Sequence, residues 1–419
     1  MRTREIFTPG RFPTWTYVDD HLKDKEDQLR DTIEDGSMLV SISGPSKSGK
    51  TVFVENVLGR ENLIQVTGAG VKTPSDLWLR VFDIIGTPIE RSSNTSSTKS
   101  GTIGGKVGGE GGILVAKAKG EASASASYES GQVELETAAI DFLQLLIREL
   151  ADTDFVVFID DFHYIEHSIQ SDLAEQIKEA IRQGVKFICA SVPYHSDDVI
   201  RSNPDLRGRF FSIDFDYWNS DFLKKIAYKG FDKANIVYRN GLVDRLAEEA
   251  AGSPQLMQYL CLNACLEKGI RDVPDSPTDL IYEKEFFDEI CRRTVASTDY
   301  SSIAEKMLDG PKTRGSDRKI YISKFGWQGD VYRFLLKALS VDPPRLNFRY
   351  QPLVDRIGSL CDGVSPSGSS ITNACFHTAN IANDSANDNV VEWDGENDVF
   401  DIRDPYLLFY LRWSEIADG

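Results

Sequence analysis

Lys50 and Thr51, preceded at fixed spacing by two glycines, are the residues of this chain best suited to chemistry on a phosphate. They close the run Gly44-Pro45-Ser46-Lys47-Ser48-Gly49-Lys50-Thr51, which reads G-x-x-x-x-G-K-T, the pattern of a phosphate-binding P-loop. Gly44 and Gly49 allow a tight turn in which successive backbone N–H groups point inward at an anion. Lys50 can then reach the β- and γ-phosphates, and the Thr51 hydroxyl can ligate Mg²⁺. A second acidic half is expected nearby. The run Phe155-Val156-Val157-Phe158-Ile159-Asp160-Asp161 supplies it, with Asp160 for the metal shell and Asp161 as the base that polarises the attacking water. A glutamate is more usual in the second place, and the shorter aspartate predicts slow turnover. Arg207 and Arg209, in Asn203–Phe210, are either guanidinium groups that reach a neighbouring subunit's γ-phosphate or an exposed salt-bridging pair. Ser191, at the end of the run Val185–Ser191, is placed to sense the γ-phosphate.

These residues need a scaffold that brings strand ends together. Met38–Ile42 is a short β-prone run feeding straight into the loop, and Val52–Leu58 reads as a helix whose positive N-terminal end meets the anion. Strands are expected at Leu63–Thr67, Asp154–Asp161, Val185–Val192 and Phe210–Phe215. Helices are expected at Asp19–Asp35, Ser75–Ile85, Leu135–Leu150 and Ile169–Gln183. Near-continuous apolar strands alternating with helices predict a parallel sheet covered on both faces. Arg91–Gly131 is different in kind. It is rich in glycine, and from Val115 to Tyr128 it alternates Lys, Glu and Ser with Ala, which suits an extended hairpin or an irregular linker. From Asp221 to Thr298 only helical patterns are read. Further on, Asp330–Leu339, Pro352–Cys361 and Ser370–Ile381 read as helices. Val390–Glu392 and Val399–Ile402 flank an Asp394-Gly395 turn, so three helices and a hairpin suggest a winged helix.

Bulk composition narrows the classes. The 419 residues carry 47 Lys and Arg against 65 Asp and Glu, a net charge of −18, which disfavours general binding to nucleic acid or anionic membrane. Cys189, Cys261, Cys265, Cys291, Cys361 and Cys375 form no CxxC pair and are read as reduced core thiols of a cytoplasmic protein. No signal-peptide h-region and no apolar run of membrane-spanning length is seen, so no membrane contact is expected. His163 and His167 lack the glutamate of a metal-binding H-E-x-x-H pattern and are not read as ligands.

Taken together, GPSKSGKT, FIDD and the surrounding pattern resemble the additional-strand P-loop ATPases where the AAA+ initiator group meets the STAND signalling ATPases. The resemblance implies a three-layer α/β P-loop NTPase core with a parallel sheet, a helical lid and a C-terminal winged-helix domain. The bounds it suggests are an adenine-box segment at 1–36, a core at 37–220 carrying the insertion 91–131, a lid at 221–308, a linker at 309–325 and a winged helix at 326–419. Tyr17, Val18 and Asp19 stand in place of the adenine box, which lacks its usual Gly-Arg. Pro45, Ser46, Lys47, Ser48 and Val52 join Gly44, Gly49, Lys50 and Thr51 in holding ATP, and Thr51 and Asp160 hold Mg²⁺. Ala251-Gly252-Ser253-Pro254 is like the STAND G-x-P element, whose proline packs near the adenine. Gln255 stands where AAA+ members place an arginine. Arg209 is the better match to the arginine finger. The resemblance implies a slow ATPase switch that forms a homo-oligomer, such as a ring, and docks a partner or effector protein in signalling or antiviral defence. The alternative it implies is a DNA-associated initiator, loader or transposition regulator. From Ile357 to Ile402 there is no Lys or Arg, while Asp362, Asp384, Asp388, Glu392, Asp394, Glu396, Asp398 and Asp401 are acidic, which disfavours DNA on the wing.

Overall fold

The computed structural model describes residues 1–89, 141–192, 208–312, 315, 317–386 and 389–416, and elements are numbered over these. The expected insertion 91–131, residues 135–140 and Arg207 lie outside them. The chain forms two compact units, one of Leu22–Gly44 with Phe53–Phe215 and the other of Met1–His21, Pro45–Val52 and Asp216–Gly419.

The first unit is built on five parallel strands: β1 (Leu39–Ser43), β2 (Leu63–Thr67), β3 (Val156–Asp160), β4 (Lys186–Ser191) and β5 (Phe210–Asp214). Their order in the sheet is β2-β3-β4-β1-β5, so β4 stands between the strand that leads into the loop and the strand that ends in Asp160. The pleat sends alternate residues to opposite faces. Val157, Ile159, Phe187 and Cys189 join one cluster with Trp78, Val81 and Phe82 of α4 (Pro74–Ile85), Leu146 and Leu150 of α5 (Phe142–Leu150), and Leu173 and Ile177 of α6 (His167–Arg182). Val156, Phe158, Ile188 and Ala190 point the other way and are equally buried. On that account β3 and β4 read as unbroken apolar runs. Helix α4 is fixed at both ends. Thr73 caps it by accepting from the Asp76 N–H, Asp76 accepts in turn from the Thr73 N–H, and Gly86 closes it in the left-handed conformation. Helix α1 is the short Thr3–Ile6, and α2 runs over Lys23–Asp35, starting four residues later than the charge pattern suggests, because residues 20–22 form turns.

In the second unit the lid helices are α7 (Ser220–Lys233), α8 (Leu242–Glu249), α9 (Pro254–Glu267) and α10 (Lys284–Val295). Their cluster takes in Ile6, Phe7 and Val18 from the N-terminal segment and Tyr406 and Phe409 from the C-terminal end. The all-helical expectation for this region is corrected. Ile236–Arg239 and Thr278–Ile281 form a parallel pair of short strands, β6 and β7. Each is a four-residue β-prone run between helices, too brief to show a period of two. Helix α11 (Ser301–Asp309) and a small hairpin, β8 (Tyr321–Ile322) with β9 (Gln328–Gly329), precede the winged helix and were not legible in the pattern.

The winged helix runs α12 (Val331–Ser340), β10 (Asn347–Arg349), α13 (Tyr350–Leu360), α14 (Gly368–Ala386), β11 (Val391–Asp394) and β12 (Val399–Ile402). Its sheet has the order β10-β12-β11 and is antiparallel. Asp394 ends β11 and accepts from the N–H groups of Glu396 and Asn397, which turns the chain toward β12. Helix α15 (Pro405–Trp413) follows, with Asp404 as its N-cap. Among the described residues no helix is long and apolar enough to cross a membrane. All six cysteines are free and buried, and no cluster of three metal-ligating side chains occurs among the described residues.

Candidate nucleotide site

Parallel pairing carries three chemically active groups of the sheet unit to one edge. Ser43 of β1 pairs with Ser191 of β4, and Asp160 ends β3 opposite Thr67 of β2. Beyond Ser43 the chain enters the loop at Gly44, whose N–H donates to Ser191 O (3.3 Å). A side chain at Gly44 would meet Phe215, since a Cβ there falls 2.5 Å from Phe215 Cβ and 2.8 Å from Phe215 O. Glycine is required for this close approach. The Asp160 carboxylate accepts from the Asp161 N–H (3.0 Å), which orients it. Asp161 leaves the strand in the left-handed conformation (φ 56°) and opens the short turn Phe162–Tyr164. The Ser191 hydroxyl is buried at the same edge and makes no hydrogen bond among the described residues.

Arg209 lies at the opposite edge. It immediately precedes β5, and its carbonyl accepts from the Leu39 N–H at the amino end of β1. Five residues of strand, about 17 Å at ~3.3 Å per residue, separate it from the carboxyl edge of its own sheet. The side chain is exposed and lines an open polar groove of about 680 Å³ with Asp35, Asp152 and Arg182.

In the second unit the loop residues 45–52 are held from several sides. Lys50 and Thr51 occupy the first turn of α3 (Lys50–Leu58), where backbone N–H groups have no partner within the helix. Lys50 Nζ donates to Pro45 O (2.9 Å), folding the ammonium back onto the loop. Gly49 has φ 98°, a conformation open to glycine at little cost, and a Cβ placed there would lie 3.9 Å from Pro254 Cγ at the start of α9. Trp218 Nε1 donates to Ser48 O (2.9 Å). The Ser48 hydroxyl is 2 % exposed and, like that of Ser191, makes no hydrogen bond among the described residues. Lys47, also left-handed (φ 61°), pairs with Asp404 at the start of α15 and with the Tyr300 hydroxyl.

The N-terminal segment belongs to the same unit. Val18 is fully buried in the lid cluster, Tyr17 stacks on Phe12 and its carbonyl accepts from Lys229 Nζ (2.6 Å). Gln258 of α9 donates to Thr16 Oγ1 and accepts from the Thr8 N–H, tying this segment to the lid. Tyr17, Val18, Pro254 and residues 45–52 are therefore gathered in one unit, and Gly44, Asp160 and Asp161 at one edge of the other. The contacts of Trp218 and Asp404 with the loop were missed by sequence reasoning. They lie 170 and 357 residues from their partners, and nothing local marks them.

No family model and no curated protein matches the sequence. Solved structures do. A Walker-type ATPase of Pyrococcus abyssi superposes with a TM-score of 0.54 at 13% identity, covering 94% of this chain and 96% of that one. Cdc6p from Pyrobaculum aerophilum gives 0.44 at 12% identity over 99% and 98% of the two chains. The Aeropyrum pernix ORC1 protein, solved in complex with DNA, gives 0.45 at 12% over 99% and 96%. At such identities the likeness is one of fold. The chain has an α/β fold like that of a Walker-type ATPase, a parallel sheet with one strand between those carrying the loop and the acidic pair, and a C-terminal winged helix.

Proposed function

We propose that this chain binds ATP with Mg²⁺, hydrolyses it slowly, and assembles with copies of itself in doing so. The observation that carries the reading is a glycine-turned loop between β1 and α3 with a buried hydroxyl, Ser48 Oγ, that has no protein partner among the described residues. Such an orphan is costly unless a ligand oxygen completes it. The hydroxyl of Thr51 and the carboxylate of Asp160 are hard oxygen donors of the kind Mg²⁺ takes, and the ion, when bound, neutralises phosphate charge. Asp161 orients the attacking water and accepts its proton. Arg209 stands too far from its own carboxyl edge to serve there, so in this reading it completes the site of a neighbouring copy. The test is ATP turnover and analogue binding by the intact chain. Lys50→Ala should lose both, and a wild type that binds no nucleotide would overturn the reading.

For the work done with that energy, we place the DNA-associated alternative first. Exposed Lys312, Lys319, Lys324, Arg345 and Arg349 cluster in sequence ahead of α13, within an otherwise acidic chain. The partner-docking reading, in signalling or antiviral defence on the STAND side, is favoured by a different feature. Helix α14 and the β11–β12 wing carry no Lys or Arg, and Ile320, Ile322 and Phe325, in and around the β8–β9 hairpin, are more than half exposed. Binding of duplex DNA that weakens steeply with salt and is lost on reversing Lys319, Arg345 and Arg349 supports the first. Absence of any DNA binding at low salt leaves the second.

A further inference from the structure

The phosphate-binding loop carries a second lysine, and the C-terminal helix holds it. Lys47 Nζ lies 2.9 Å from Asp404 Oδ2, 3.2 Å from Oδ1 and 3.0 Å from Tyr300 Oη. It also sits 4.3 Å from the centre of the Tyr406 ring and 5.6 Å from that of Tyr300. The Asp404 side chain is 9 % exposed, and the Tyr300 hydroxyl donates to it as well. The same carboxylate caps α15, accepting from the Tyr406 N–H (2.9 Å). One buried acidic group thus serves both the start of α15 and the middle of the loop.

Lys47 adopts the left-handed conformation that non-glycine residues avoid, and it does so where the loop must turn its N–H groups inward. A conformation of this kind persists only when its surroundings impose it. We propose that Asp404 is a positioning residue for nucleotide binding. By holding the Lys47 ammonium it keeps the loop in its anion-binding arrangement, so that affinity depends on α15 being seated. The inference rests on the nucleotide reading given above. By reciprocity, nucleotide in the loop steadies the start of α15, so the C-terminal domain registers whether the site is filled.

Asp404→Asn tests this in the full chain, since asparagine keeps a capping oxygen and removes only the charge. Binding of a non-hydrolysable ATP analogue with Mg²⁺ should weaken about tenfold, the scale of one charge-assisted contact. Lys47→Met should show a similar loss, and the double variant no more than either single one. Hydrogen exchange of the first α15 amides should slow on adding the analogue to wild type and not to Asp404→Asn, a readout that a merely structural role would not move. If Asp404→Asn fails to fold, Tyr300→Phe keeps the ion pair, and about a threefold loss is expected. A wild type that binds no analogue would sink the nucleotide reading itself. Wild-type binding with Asp404→Asn within twofold of it, losses that multiply in the double variant, or α15 exchange indifferent to the analogue would overturn this inference alone.

Discussion

Asp161 combines two demands at one position. It turns the chain out of β3 with φ 56°, and in the proposed ATPase reading it also serves as the base. Aspartate and asparagine tolerate that conformation better than other side chains. Asp161→Asn should therefore fold normally and bind nucleotide as wild type does, while kcat falls by about 10²-fold or more; separate measurement of analogue binding and turnover checks it. The cysteines make a second prediction at this scale. Burial pushes the Cys265 and Cys375 thiols up to about 12, and raises Cys189, Cys261 and Cys291 as well. A folded pKa above the unfolded 9.0 means that the native state keeps protons the unfolded chain releases. Stability is then fully present below pH 9.0 and declines as pH rises from there through about 12. A urea melt repeated at rising alkaline pH should show this. At neutral pH a thiol reagent should label the six cysteines only as the protein unfolds, and fast labelling of the native protein would contradict the burial. The sequence marks Lys50, Thr51, Asp160 and Asp161 because each belongs to a contiguous motif with a physical reason for its spacing, and these residues lie at the start of α3 and at the end of β3. It was no guide to Asp404 or Trp218, whose roles depend on tertiary contacts.

At the scale of elements, the seating of α15 matters most. Arg412 near its end donates to both Glu249 oxygens (3.0 and 2.7 Å), to Ser340 O (2.7 Å) and to Asp342 (2.6 Å). The Arg412 and Glu249 side chains are 5 % and 0 % exposed, and Trp413 Nε1 also donates to Glu249. Removing one partner of a buried pair strands the other charge. Arg412→Met should cost about 3 kcal/mol of stability, read as a shift in the urea midpoint with an unchanged slope. Replacing Glu249 and Arg412 together by apolar residues of similar volume should cost much less. The apolar strands were legible since each is a buried run of the right length, and α4 since Thr73, Pro74, Asp76 and Gly86 mark both its ends. Strands β6 to β9 were not legible: two to four residues cannot display a period, and β6 and β7 pair across a long stretch of sequence. The expected turn at Asp394-Gly395 was close to correct, with Asp394 ending the strand rather than starting the loop.

At the scale of the whole molecule, the position of Arg209 separates a self-sufficient enzyme from a shared site. The sheet is parallel, so the amino edge that carries Arg209 and the carboxyl edge that carries Asp160 cannot converge within one chain's sheet. The proposed assembly follows from that separation and from the need for positive charge at the γ-phosphate. Light scattering should show nucleotide-dependent growth in mass for wild type, reduced in Arg209→Ala. The most direct test is ATP turnover by an equimolar mixture of Lys50→Ala and Arg209→Ala chains. Each variant alone should be inactive, the first for want of a binding lysine and the second for want of a finger. Mixing should restore part of the wild-type rate, as Arg209→Ala chains with an intact loop meet Lys50→Ala neighbours with an intact arginine. A mixture that stays at background, or an Arg209→Ala chain that turns over ATP as fast as wild type, would contradict the shared site.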